Sequence, residues 1–311
     1  MATAPLLPRA RPGCDLTSLI GHTPLVPITE LEGVPEAVTV LGKAEWLNPG
    51  GSVKDRAAWG IVQAAEASGA LAGGRRLLDA TSGNTGIAYA WIGATRGIGV
   101  TLCLPGNANH ERRRLLSALG AELVLTDAME GTDGSILAAR RLAMDHPERY
   151  YYANQYAHPA NWRDHYDTTA HEIWSETGGR VTHLVAGIGT SGTLVGTARG
   201  LRERDPSIMA IAVQPDGPLH ALEGLKHLPS ALVPPIYDPG VHQRTIEVGS
   251  EEAIAMVKRQ ARRGLLLGWS AGAALVAAER VARGLVRGLV VAILPDGAER
   301  YLSEPAWRED L

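Results

Sequence analysis

The sequence predicts an α/β protein of two domains, each built on a mostly parallel sheet flanked by helices. Three observations carry that expectation. From residue 36 onward short β-like runs alternate with stretches of helical period. The alternation comes in two successive series, roughly 36–155 and 180–297. Several β-runs end in turns rich in Gly, Ser, Thr or Asn that lead straight into a helix, the layout of βα units in a sheet covered on both faces.

Along the chain, residues 37–46 (AVTVLGKAEW) read as a strand, and 55–69 as a helix ended by Gly69. RRLLDATSGNTG, 75–86, reads as strand then turn, 87–97 as helix and 98–105 as strand. Helix 109–120, strand 121–127 and helix 135–147 complete the first series, before RYYYANQY. A helix over 165–178 precedes strand 181–189, helix 193–205 and strand 208–216. Helix 250–264 opens on Ser250 as a cap, with Glu251 and Glu252 behind it. Helix 274–286 and strand 289–297 close the pattern. Residues 1–13 read as a loose arm, 47–156 as a smaller mobile domain, and 14–46 with 157–311 as a larger one.

Composition narrows the function. Among 311 residues, 45% are apolar and the net charge is −3, so no basic field favours nucleic acid or anionic lipid. There is no Phe, so core volume comes from aliphatic residues with 7 Trp and 8 Tyr. No apolar run is long enough to span a membrane, and the first residues lack a secretory pattern. Cys14 and Cys103 are too far apart for a zinc knuckle or a disulfide framework. A cytoplasmic protein without a bound metal is expected. His165 and His171 read as surface or cap residues, and His110–Arg114 as a solvated helix start.

Chemistry in such folds gathers after the strands. Four segments there stand out. In LNPGGSVKDRAAWG (47–60), Lys54 sits in the first turn of a helix, where the dipole repels a cation and favours a neutral amine. The plainer reading pairs it with Asp55 or Glu45. Asp79–Gly86 sets hydroxyls, an amide and glycines at a helix start, a site for a carboxylate or phosphate. Gly187–Thr193 has the spacing of a phosphate cradle and of a dinucleotide fingerprint, with Asp216 near where a ribose-binding acid would lie. Gly268–Ala274 is a small-residue turn presenting Ser270.

Taken together, IGHTPLVPI (20–28), NPGGSVKDRAA (48–58), TSGNTGIA (81–88), NQY (154–156), GIGTSGT (187–193), GWSAGAA (268–274) and ILPDGAERYLS (293–303) resemble the cysteine synthase family. These are pyridoxal-phosphate enzymes of fold type II, and the resemblance is nearer to the B-type branch. It implies a β-replacement through an α-aminoacrylate, with O-phosphoserine or O-acetylserine as donor and sulfide or another sulfur nucleophile. It implies that Lys54 holds pyridoxal 5'-phosphate and moves the Cα proton, while Asn84 bonds the ring hydroxyl. Thr81, Ser82, Thr85 and Gln155 would bind the donor carboxylate, and Gly189, Thr190, Ser191, Gly192 and Thr193 the cofactor phosphate. Ser191 stands where the family usually has Gly. Ser270 would face the pyridine nitrogen, with the 295–298 turn and its Asp296 as the alternative. Lys226 would meet a donor phosphate, with His220 and His227 nearby. A homodimer with small-molecule substrates is implied. Rival readings are another β-replacement or elimination (cystathionine β-synthase, diaminopropionate synthase or serine/threonine dehydratase chemistry), a nicotinamide-binding protein using Asp216, or a non-catalytic relative.

Overall fold

The computed structural model describes residues 15–81 and 83–307. The arm, Cys14 and Ser82 lie outside them. Ten strands divide between two sheets among the described residues. The smaller sheet has the order β5-β4-β3-β6, from β3 (Arg76–Ala80), β4 (Val100–Pro105), β5 (Glu122–Thr126) and β6 (Tyr150–Tyr152), all parallel. The larger has the order β1-β2-β10-β7-β8-β9. Its members are β1 (Leu25–Pro27), β2 (Val38–Ala44), β7 (His183–Gly187), β8 (Met209–Pro215), β9 (Arg244–Val248) and β10 (Gly288–Leu294). Only the β1–β2 pair is antiparallel there. β4 and most of β10 are buried along their whole length, as expected of strands covered on both faces.

β2 opens the first βα series in sequence, yet it pairs in parallel with β10, Gly288 facing Val38. The chain therefore crosses from the larger layer into the smaller just after β2, and helix α1 (Lys54–Ala67) begins at that crossing. α2 (Asn84–Arg96), α3 (His110–Ala118) and α4 (Gly131–Asp145) cover the smaller sheet. α5 (Ala160–Asp167), α6 (Thr169–Glu176), α7 (Gly192–Arg204), α8 (Ser250–Ala261) and α9 (Trp269–Arg283) belong to the larger layer. The missing Phe volume is supplied by aliphatic side chains and a stack of Trp269 on Trp307, rings 5.3 Å apart.

Three expectations are corrected. The single helix over 165–178 is two, broken at Thr168, whose hydroxyl bonds back to the Asp164 carbonyl at 2.7 Å while its backbone departs from ideal helical values to φ −111° and ψ −68°. α9 starts at Trp269, not 274, because its small residues are not a loop but a tightly packed first turn. A Cβ on Gly272 would lie 2.3 Å from the Ala253 carbonyl. Ser250 is not the cap of α8; Gly249 is, its amide held by the Glu252 carboxylate at 3.2 Å. β1 and β9 escaped the sequence reading, since β1 has three residues and β9 is an edge strand with alternate polar, exposed positions.

Candidate active site

A cleft between the two sheets is lined by Lys54, Thr81, Asn84, Thr85, Gln155, Gly189, Thr190 and Lys226, with Thr132, Tyr156, Glu223 and Tyr301. Eight residues singled out from five separate stretches of sequence thus meet at one place. Among the described residues none forms an ion pair with Lys54, because its expected partners are taken. Asp55 turns back to the Gly50 amide at 2.5 Å, and Glu45 binds Arg56. Burial at the helix start holds the Lys54 ammonium below its ordinary pKa, against the opposing pull of Asp296. A lysine in that state is poised as an amine nucleophile and proton carrier.

The helix carrying Lys54 is pinned by a charge cluster that sequence reasoning missed. Arg56 is fully buried and bonds Glu45 at 2.8 Å and Glu172 at 2.7 Å. Lys43, equally buried, reaches Glu172 at 2.8 Å and Glu176 at 2.6 Å. Burial alone would push the Glu172 carboxyl up, but its bonds and charges from Arg56 and Lys43 hold it down at about 2. Residues far apart in sequence build this cluster, so no local signal announces it.

Below the Asp79–Gly86 turn the carboxylate of Asp79 is buried, accepting the Ala80 amide at 2.8 Å and the Gln155 amide at 3.2 Å. Gln155 in turn donates to the Ala80 carbonyl at 3.1 Å and accepts from the Thr85 hydroxyl at 2.7 Å. The two loops expected to hold a carboxylate are thereby laced into one surface. Burial raises the Asp79 carboxyl to about 7.

At the phosphate turn, Ser191 is a left-handed residue at φ 72° that caps α7 and leaves its buried hydroxyl without a hydrogen-bond partner. Gly189 and Gly192 cannot carry side chains here, since a Cβ would lie 2.2 Å from the Gly224 carbonyl and 1.9 Å from the Asn161 side chain. An orphaned hydroxyl, helix-start amides and bare backbone are what a phosphate needs. The residues present therefore fit the expected cofactor. Thr193 lies in the first turn of α7, its hydroxyl 3.2 Å from His165. His165 is a correction: it is buried, not a surface residue, and burial drives its pKa down to about 3. His171 is exposed. Ser270 is buried in the first turn of α9, outside the cleft wall. The Asp296 carboxylate accepts from Asn84 at 2.7 Å and from the Tyr301 hydroxyl at 2.5 Å. Arg112 departs from the solvated reading of its helix start, reaching across to Glu223 at 2.7 Å and lying over the Tyr301 ring. Asp216 is not part of the cleft wall but lies near Gly249.

Residues 16–296 match the family model described as pyridoxal-phosphate dependent enzyme. A cysteine synthase of Aquifex aeolicus is 46% identical over 295 residues, covering 93% of this chain and 90% of that protein. Cysteine synthase B of Pseudomonas aeruginosa is 38% identical, covering 93% and 95%. The crystal structure of a cysteine synthase from Entamoeba histolytica superposes with a TM-score of 0.91 at 33% identity, covering 99% and 94%. With a matching family model over most of its length and a cleft shaped for the cofactor, this chain belongs to the pyridoxal-phosphate dependent enzymes and, among them, to the cysteine synthases.

Proposed function

We propose that the protein, in making L-cysteine by β-replacement, takes O-phospho-L-serine in preference to O-acetyl-L-serine and adds sulfide or another sulfur donor. Bound pyridoxal phosphate supplies the electron sink that makes the donor's Cα proton acidic. The chain's own residues do the rest. The Lys54 amine, its pKa lowered by burial, anchors the cofactor and then moves the Cα proton. Thr81, Thr85 and Gln155, with Ser82, hold the donor carboxylate, and Asn84 donates to the cofactor's ring oxygen. The turn at 189–193 holds the cofactor phosphate. Ser270 would be the neutral partner of the ring nitrogen, which would leave the sink weak enough for loss of the β-group.

Donor preference rests on one observation. Lys226 stands on the cleft wall with its amide anchored to the Ile188 carbonyl at 2.7 Å, beside the phosphate turn. Its ammonium lies 5.1 Å from the Tyr156 ring centre, with no carboxylate paired to it among the described residues. The carboxylate on the cleft wall, Glu223, is bound by Arg112. A point charge of this kind suits a departing phosphate. Lys226→Ala is expected to raise KM for O-phosphoserine at least tenfold and for O-acetylserine less than twofold. Equal effects on both donors would remove the preference. Ser270→Ala is expected to move the bound cofactor's visible band and lower turnover; unchanged values would pass the role to the 295–298 turn.

The same reading makes 47–156 a smaller domain that closes on a larger one, 14–46 plus 157–311, in a homodimeric cytoplasmic enzyme acting on small molecules. Support for closure comes from the cleft, whose carboxylate loop and phosphate turn belong to different sheets. No helix among the described residues is long and apolar enough to cross a membrane.

A further inference from the structure

The Asn84 side chain is gripped from both ends. Its Nδ2 donates to the buried Asp296 carboxylate at 2.7 Å. Its Oδ1 accepts from the guanidinium of Arg300, whose other nitrogen donates to the Gly50 carbonyl in the loop before Lys54. A carboxamide left to itself has two orientations that differ only in which end is oxygen and which is nitrogen. Here the choice is fixed by charge. Turning the amide over would set its NH2 against the guanidinium and its oxygen against the carboxylate, two repulsive contacts in place of two charge-assisted bonds.

The surroundings hold this grip in place. Asp296 is itself fixed by the Tyr301 hydroxyl at 2.5 Å, and its carbonyl accepts the Gly268 amide at 3.0 Å. The amide of Val53 donates to the Pro295 carbonyl at 2.8 Å, tying the 295–301 segment to the start of α1. Arg300 reaches Gly50 only because residue 51 is glycine. A Cβ there would lie 2.6 Å from the guanidinium, and the backbone takes φ +80°.

The geometry points to Arg300 and Asp296 as positioning residues that lock the Asn84 amide so that its second N–H is presented to the cofactor ring oxygen. The assignment deepens the proposed function and rests on Asn84 lying against that ring. Arg300 also joins, in one side chain, the loop before the lysine and the helix that carries Asn84. A locked donor keeps the ring oxygen in its ionised form; a free amide would let the neutral form, which absorbs at shorter wavelength, gain population.

The test uses purified full-length protein titrated with pyridoxal phosphate and read by the visible band and by cofactor Kd. Arg300→Gln is expected to weaken cofactor binding about tenfold, through loss of the charge-assisted bond to Asn84, and to shift the band to shorter wavelength. Arg300→Lys keeps the charge but not the fork, and restores the band only in part. In an Asn84→Ala background, Arg300→Gln is expected to change neither quantity further. An unchanged band in Arg300→Gln, or an equal loss with and without Asn84, overturns the assignment. Should Arg300→Gln fail to fold, judged by melting of the cofactor-free protein, the same comparison is made with Arg300→Lys. A wild-type protein that takes up no cofactor overturns the cofactor reading itself, and this assignment with it.

Discussion

Asp79 has a stability signature that can be separated from everything else in the protein. Its carboxylate is 1% exposed and accepts two backbone amides, yet burial still lifts its pKa from 3.8 to about 7. A carboxyl raised in the folded state favours folding most below its unfolded pKa. That advantage is lost as pH rises toward the folded value. At about 1.4 kcal/mol per pKa unit the full loss is about 4 kcal/mol, of which about 2–3 kcal/mol falls between pH 5 and pH 8. Asp79→Asn cannot ionise, so it escapes this loss. It costs about 1–3 kcal/mol at any pH instead, because its NH2 faces one of the two backbone amides that the carboxylate accepted. Urea unfolding of both proteins at pH 5 and pH 8 gives the comparison. The variant is expected to gain about 2–3 kcal/mol on wild type between pH 5 and pH 8. A stability difference constant within about 0.5 kcal/mol across that range would refute the reasoning. It would mean that Asp79 stays ionised throughout and that its amide bonds outweigh its burial.

Other expectations concern single contacts. Lys54→Ala is expected to lower turnover at least a hundredfold and to abolish borohydride fixation of the cofactor, read by mass spectrometry. Gln155→Ala removes the partner of Thr85 and a bond to Ala80, and should raise KM for the amino-acid donor about ten- to a hundredfold with a smaller change in kcat, in steady-state assays. Arg56→Met leaves Glu45 buried without its cation, and about 3–5 kcal/mol of unfolding free energy should disappear in denaturant titration. Gly192→Ala forces a methyl against Asn161, which holds the Gln155 carbonyl at 2.7 Å; cofactor content per chain should fall, and stability by about 1–3 kcal/mol.

Much of this was legible in the chain because the telling residues lie together. Asn48–Lys54 and Thr81–Gly86 each announce a turn, a helix start and a reactive group within seven residues, and helical period marks the helix behind each turn. The hidden part depends on residues brought together from a distance. Nothing near Arg56 in sequence says that Glu172 will neutralise it, and nothing near Asn84 points to Arg300. His165 read as a surface residue because its neighbours Asp164, Tyr166 and Asp167 are polar, whereas its ring is enclosed by Thr169 at 2.9 Å and Thr193. Edge strands fail for a different reason. Half of β9 faces solvent, so it lacks the apolar run that marks a buried strand. Helix breaks such as Thr168 turn on a hydroxyl choosing a carbonyl, which composition does not record.

The pairing of Val38 with Gly288 has a consequence for how the protein is born. At roughly 5–20 residues per second a ribosome needs about 10–50 seconds to make the 250 residues between them, and for all that time β2 has no parallel neighbour in its own sheet. The smaller sheet, whose strands all fall between Arg76 and Tyr152, has no such wait and is complete at mid-synthesis. A nascent chain therefore carries a finished carboxylate platform on an unfinished base. Lys54, only ten residues past β2, gains its surroundings when the last strand slots in. Cofactor capture is thus a late event in the life of the nascent chain, and chains that stop short of β10 carry the lysine without the site.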